Sequence, residues 1–227
     1  MQDQHIRQII RAMLQEEDTL NTPTSRDPMS LESRTLVPTG QPKKLLIISP
    51  GIDNASGPGF SWKEAAPEHV KFAIEAGLPG RGVGVVVARN SSVPISSVLK
   101  EISDSKDMRI VNLFSAPTRV LLGFSGGGST VLRYIASGDA ALSTFNKIYL
   151  ADPAATMASI ALIPKMGSNA AKIMMTYNID NWTGPNVSFK KSLPAFASKL
   201  NKYVGSEVAK YEARTHIEHL KDMLAII

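Results

Sequence analysis

The chain has 227 residues, of which 43% are hydrophobic and 20% charged, and this size and balance predict one principal domain with a full-sized core. It contains no cysteine, which excludes disulfides, thiolate metal sites and a cysteine nucleophile. The net charge of +5 does not favour a nucleic-acid partner, because the basic residues are scattered and their longest clusters are the pairs Lys43-Lys44 and Lys190-Lys191.

The N-terminal sequence lacks the charged-then-apolar order of a secretory signal, and no apolar run approaches the roughly 18 residues of a membrane span. We therefore expect a soluble protein without a transmembrane segment. Its expected location is the cytoplasm, or a larger protein assembly into which it is incorporated.

Residues 1–43 are predicted to form an appendage, with a helix over residues 3–18 followed by a proline-rich linker. The helix carries an apolar stripe with helical spacing, made of Ile6, Ile9, Ile10, Met13 and Leu14. Such a stripe favours docking on a protein partner or on a second copy of the chain. We expect the remaining domain, residues 44–227, to fold without this appendage.

From Lys44 onward, short apolar runs alternate with helical stretches, which is typical of an α/β fold with a mostly parallel sheet covered by helices on both faces. Six strands are predicted, at residues 45–49, 83–88, 119–124, 147–151, 173–177 and 207–211. Helices are expected near residues 66–76, 95–104, 127–137, 190–203 and 216–226.

The segment Gly123-Phe124-Ser125-Gly126-Gly127 matches G-x-S-x-G between a predicted strand and a predicted helix. A serine on so sharp a turn is strained, and the positions two before and two after it must be nearly free of side chains. The pattern therefore predicts a nucleophilic Ser125. The backbone amide of Gly126, at the start of the helix, is the predicted oxyanion donor.

Two phosphate-binding motifs compete for the same glycines. A P-loop over Gly123–Thr130 lacks its lysine, because Ser129 stands in that position. A dinucleotide fingerprint beginning at Gly126 has Val131 where its third glycine belongs. A glycine-rich turn without chemistry is the third alternative.

A serine nucleophile needs a histidine base, which a carboxylate must orient. We favour His216, which follows the last predicted strand, over His219, which lies inside the final helix. Asp180 and Asp152 both follow strands that come after the serine, and both obey the order Ser, Asp, His. We favour Asp180, because its strand immediately precedes the histidine strand.

The loop after the first predicted strand is rich in glycine and lies at the edge where ligands bind in open α/β sheets. The backbone amide of Gly51 or Ile52 is a candidate second oxyanion donor. Phe60, Trp62 and Phe124 are candidate apolar walls for a substrate.

These segments together resemble the α/β-hydrolase superfamily. Leu-Ile-Ile-Ser-Pro-Gly at residues 46–51 is similar to its oxyanion strand and loop, residues 120–128 to its nucleophile elbow, and Thr215-His216 to its late histidine. The resemblance covers residues 44–227, departs from the family in having Phe124 where a His or Tyr usually precedes the serine, and leaves little chain for a lid.

The resemblance implies a serine hydrolase, esterase- or lipase-like, that cleaves an ester, thioester or amide of a small-molecule or acylated substrate through an acyl-enzyme. It implies neither a metal nor an organic cofactor. A site without a lid suggests a small or extended substrate. The alternative is a non-catalytic member of the fold that serves as a structural component, docked into an assembly by its N-terminal segment.

Overall fold

A computed structural model describes residues 30–51, 65–139, 143–183, 187–203 and 206–227. Within these ranges, seven strands form one sheet in the order β1-β3-β2-β4-β5-β6-β7. In chain order the strands are β1 (Thr35–Leu36), β2 (Lys44–Ser49), β3 (Val83–Val87), β4 (Thr118–Phe124), β5 (Lys147–Ala151), β6 (Ile173–Tyr177) and β7 (Glu207–Lys210).

Helices connect the strands and lie on both faces of the sheet. The α-helices of the described ranges are α1 (Ala65–Glu75), α2 (Ile95–Ser103), α3 (Met108–Val111), α4 (Gly126–Ala136), α5 (Met157–Leu162), α6 (Val187–Leu200) and α7 (His216–Ile226). Segments of 3₁₀ helix cover Glu32–Arg34, Pro79–Arg81, Asn112–Ser115, Ile163–Lys172 and Ile179–Asn181. The longest of these holds a kink at Gly167.

Strands β2 to β7 pair in parallel, so their carboxyl ends meet at one edge of the sheet. Their apolar runs are buried on both sides, as in β3, where all five residues are buried. Alternate residues of β4 enter different cores. Leu121 packs with α2, α4 and α6 on one face, and Leu122 packs with α1 and α7 on the other.

The predicted parallel sheet with helices on both faces is therefore confirmed. The strands at residues 147–151 and 173–177 and the helix at 216–226 have the predicted bounds. The helix expected at 190–203 instead spans Val187–Leu200. No helix in the described ranges is long and apolar enough to cross a membrane.

A seventh strand, β1, was not predicted, because two residues in a proline-rich stretch show no periodicity. Its residues pair antiparallel with β3, with Thr35 opposite Val86 and Leu36 opposite Val85. Residues 30–43, predicted to lie outside the core, thus add an edge strand to the sheet. The predicted helix at residues 3–18 and its apolar stripe lie outside the described residues.

Arg34 anchors this edge strand. Its side chain is fully buried and donates hydrogen bonds to the carbonyl of Val87, to the carbonyl of Ser30 at 3.1 Å, and to a carboxylate oxygen of Glu101 at 2.8 Å. Burial lowers the pKa of its guanidinium, and the Glu101 carboxylate opposes that shift. Through Val87 and Glu101, Arg34 ties the segment before β1 to both β3 and α2.

Candidate functional site

Ser125 lies in the turn between β4 and α4, with φ 52° and ψ −121°. A positive φ is rare for a residue with a side chain and costs on the order of 1–3 kcal/mol, so the neighbouring structure must hold it. The Ser125 backbone N–H donates to Ala151 at 3.1 Å, and its carbonyl accepts from Gly128 at 3.0 Å and from Ala154 at 2.8 Å. The predicted strained strand-to-helix turn is present.

The glycines around Ser125 are required by close backbone contacts. A Cβ on Gly127 would stand 2.0 Å from the carbonyl oxygen of Ser49, and one on Gly123 would stand 2.8 Å from the Cα of Gly128. Any side chain at either position would force β2, β4 and α4 apart. The geometric reason for the pattern is thereby confirmed.

Two of the predicted oxyanion donors, Gly126 and Gly51, lie next to Ser125. Gly126 is the first residue of α4, where an amide has no carbonyl one turn earlier to bond. Gly51 is buried, and a Cβ there would lie 3.0 Å from the Cβ of Ser125. The other candidates on that loop, Ile52, Phe60 and Trp62, lie outside the described residues.

Asp152 directly follows β5, is fully buried and also has a positive φ, of 40°. Its carboxylate contacts four nitrogens: the Asn178 backbone N–H at 3.0 Å and the Trp182 indole N–H at 3.3 Å on Oδ1, and Asn181 Nδ2 and His216 Nδ1, each at 2.7 Å, on Oδ2. A carboxylate that only accepts satisfies all these donors, so burial leaves none of its oxygens unpaired.

Asp152, the reserve acid, bonds His216, whereas Asp180, the favoured acid, does not, so the contact predicted for Asp180 is wrong. Its side chain is 64% exposed and accepts a hydrogen bond from Lys190 at 2.8 Å. This bond and the lysine's charge lower the pKa of the Asp180 carboxyl. Chain order alone admitted both acids; the acid that contacts the histidine follows β5, the neighbour of the Ser125 strand.

His216 is the first residue of α7, and it stands at the same sheet edge as Ser125. Its Nδ1 bonds Asp152, which leaves Nε2 for a second partner. The ring packs between Phe124, at a centroid distance of 4.7 Å, and Trp182, at 5.1 Å. Phe124 immediately precedes Ser125, so the imidazole packs against the residue next to the serine. No hydrogen bond joins the Ser125 hydroxyl to His216 in the described structure.

Neighbouring groups fix where α7 begins. The backbone N–H of Thr215 donates to the Glu218 carboxylate at 2.7 Å, and its hydroxyl lies 2.8 Å from the same oxygen. These two bonds to Glu218 hold the residue before His216 and so set the direction in which the imidazole leaves the backbone.

His219, the alternative base, has a different environment. It is fully buried, and its Nδ1 lies 3.0 Å from the Thr176 hydroxyl. Its Nε2 has no hydrogen-bond partner among the described residues. Burial lowers the pKa of its imidazole. His219 therefore joins α7 to β6 and does not contact Asp152 through a hydrogen bond.

Asn178, Asn181 and Trp182 were not predicted as site residues, although they surround the acid. They follow β6, in the stretch where Asp180 was the only predicted site residue. The sequence feature that could have revealed them is a cluster of side-chain N–H donors that follows a strand next to the strand of the acid. No motif marks such donors, because an amide or indole is equally common in an ordinary loop.

Comparison with known proteins concerns the fold. No family model matches the chain, and no curated protein matches its sequence. Among solved structures, a serine hydrolase without a lid from Xanthomonas campestris superposes with a TM-score of 0.50 and 14% identity, over 84% of each chain. A lipase-esterase related protein from Clostridium acetobutylicum gives 0.50 and 13% identity, over 85% of this chain and 96% of that one. At such identities the likeness concerns architecture.

Proposed function

We propose that this chain, which has the α/β-hydrolase fold, is a serine hydrolase that cleaves an ester, thioester or amide through an acyl-enzyme on Ser125. The fold alone does not decide activity, since one fold hosts many functions. The observation that carries the proposal is the contact of buried Asp152 with His216, at 2.7 Å, at the sheet edge where Ser125 occupies a strained turn.

In the proposed reaction, the Ser125 hydroxyl attacks the substrate carbonyl carbon while Nε2 of His216 accepts the hydroxyl proton. The Nδ1–H of His216 donates to Asp152, which fixes the tautomer and stabilises the imidazolium. The amide of Gly126, with Gly51 or Ile52 as the second donor, stabilises the oxyanion. His216 then protonates the leaving group, and water releases the acid from Ser125 by the same steps.

The site also suggests the class of substrate. The X. campestris structure is described as a serine hydrolase without a lid, and this chain is similarly short. We therefore favour a small or extended acyl substrate that reaches Ser125 from solvent. Phe124, packed beside His216, is only 6% exposed, so it supports the histidine and offers the substrate little apolar surface.

A fluorophosphonate probe on the full chain tests the proposal. We expect Ser125 to be labelled and p-nitrophenyl acetate to be hydrolysed, and we expect Ser125→Ala to abolish both. Ser129→Ala is the matched control, because Ser129 lies four residues on in α4 and its hydroxyl donates to the Ala154 carbonyl. A folded wild-type protein that neither labels nor turns over a panel of esters, thioesters and amides would favour the scaffold alternative.

A further inference from the structure

The side-chain amide of Asn181 bridges the acid and the segment that carries the histidine. Its Nδ2 lies 2.7 Å from Asp152 Oδ2 and 3.2 Å from the carbonyl oxygen of Arg214, two residues before His216. We infer that Asn181 is a positioning residue that holds the Asp152–His216 pair in register; this inference rests on the proposed function.

An amide is suited to this position because its NH₂ group has two hydrogens, one for each acceptor. Asp152 Oδ2 accepts from Asn181 and contacts His216 Nδ1 at the same distance, 2.7 Å. The amide therefore fixes the direction from which the imidazole approaches that oxygen. Being neutral, it leaves the whole charge of Asp152 to act on His216, whereas a lysine or arginine would compete for that charge.

Asn178 holds the same loop but through different atoms. Its Nδ2 donates to the carbonyls of Glu212 at 3.2 Å and Arg214 at 3.0 Å, and its backbone N–H donates to Asp152. The side chain of Asn178 thus binds the loop but not the carboxylate, while that of Asn181 binds both. Removing the Asn181 amide leaves the loop attached, so the expected loss is one of orientation rather than folding.

The test compares wild type with Asn181→Leu, which removes both hydrogen bonds at similar volume, and with Asn181→Asp, which keeps the shape and adds a charge. Asn201→Leu is the control, because Asn201 is exposed just after α6. We expect Asn181→Leu to lower kcat about 10²-fold with little change in KM, since a misplacement of about 1 Å has this effect. Asn181→Asp should move the acidic limb of the kcat/KM profile to higher pH, because the added negative charge favours the imidazolium.

A second measurement needs no turnover. In the wild-type protein, the Nδ1 proton of His216, bonded to Asp152, should give a low-field proton NMR signal, which Asn181→Leu should broaden or shift. If wild type shows this signal, lost in Asn181→Leu, but hydrolyses nothing, the proposed function fails and the positioning role stands. Three results would overturn the inference. Asn181→Leu could keep the kcat and the signal of wild type, wild type could show no signal, or Asn201→Leu could lose as much kcat and signal as Asn181→Leu. If Asn181→Leu fails to fold, the pH profile and signal of Asn181→Asp decide, and no change in either overturns it.

Discussion

At the scale of single residues, Asp152 and Asp180 form a matched pair, since both are aspartates that follow strands beyond Ser125. Asp152 is buried and bonded to His216, whereas Asp180 is exposed and paired with Lys190. We predict that Asp152→Asn lowers kcat by about 10⁴-fold, the loss known for the corresponding change in a serine protease, because an amide stabilises the wrong tautomer of the histidine.

Asp180→Asn is the control for that prediction and should retain wild-type kcat and KM. Steady-state kinetics on an ester that wild type hydrolyses measures both variants. Equal losses in the two variants, or full activity in Asp152→Asn, would contradict the assignment of the acid.

Single residues were predictable where a motif or chain order constrains them. The position of Ser125 on a strand-to-helix turn was predictable because G-x-S-x-G requires bare backbone at fixed spacing, and the position of His216 because it follows the last strand. The acid was not predictable, because two aspartates obey the same chain order. Only the folded loops decide which of the two contacts the imidazole. Asn181 was beyond reach, since its role depends on two acceptors, one of them the backbone carbonyl of Arg214, distant in sequence.

At the scale of elements, predictability followed burial and length. The run Val85-Val86-Val87 is buried on both faces and predicts a strand by itself. Strand β1 and helices α3 and α5 have two, four and six residues, respectively, too few for either period to be seen. Their places are set by tertiary contacts, such as the pairing of Leu36 with Val85.

The contact between α7 and β6 gives an element-scale prediction about pH. His219 of α7 is buried against the Thr176 hydroxyl of β6, and burial lowers its pKa below the ordinary 6.5. Smaller influences come from nearby charges, with Asp152 and Asp222 raising this pKa and His216 and Arg214 lowering it. His219 binds a proton more readily in the unfolded chain than in the folded protein. Its contribution to the free energy of unfolding is therefore fully present above about pH 6.5 and is lost as the pH falls through the lowered folded pKa.

Between pH 7.5 and pH 5, the free energy of unfolding should therefore fall less in His219→Gln than in wild type. These two values bracket the ordinary histidine pKa of about 6.5. Urea unfolding at the two pH values measures the free energy of unfolding for the variant and for wild type. His216→Gln is the comparison, because His216 is partly exposed and contacts Asp152 instead of Thr176. A pH dependence in His219→Gln equal to that of wild type would exclude this account.

At the scale of the whole molecule, the sheet order assembles the site. Ser125 directly follows β4, Asp152 directly follows β5, the Asn178–Trp182 loop follows β6, and His216 follows β7. Since β4, β5, β6 and β7 are successive neighbours in a parallel sheet, the four chain ends emerge side by side. The fold thus places together residues 91 positions apart in the sequence, from Ser125 to His216.

The same scale bears on where the domain begins. The sequence predicts a domain from residue 44, but Leu36 is buried in the core and Arg34 bonds the Val87 carbonyl and Glu101. We predict that a chain lacking residues 1–43 is less stable than one lacking only residues 1–29, by about 2–5 kcal/mol. The difference combines the lost burial of Leu36 with the buried groups that Arg34 leaves unpaired.

Urea unfolding of the two truncated chains measures that difference, and Leu36→Ala in the longer one isolates the apolar part, with an expected loss of about 1.5–3 kcal/mol. Equal midpoints for the two truncated chains would mean that residues 30–43 add nothing to the stability of the domain.

Size-exclusion chromatography of the full chain and of the chain lacking residues 1–29 tests the predicted stripe separately. An oligomer present only in the full chain supports docking through Ile6, Ile9, Ile10, Met13 and Leu14, because only a second surface lets that stripe bury its side chains. Identical elution of the two as monomers would argue against self-association through it.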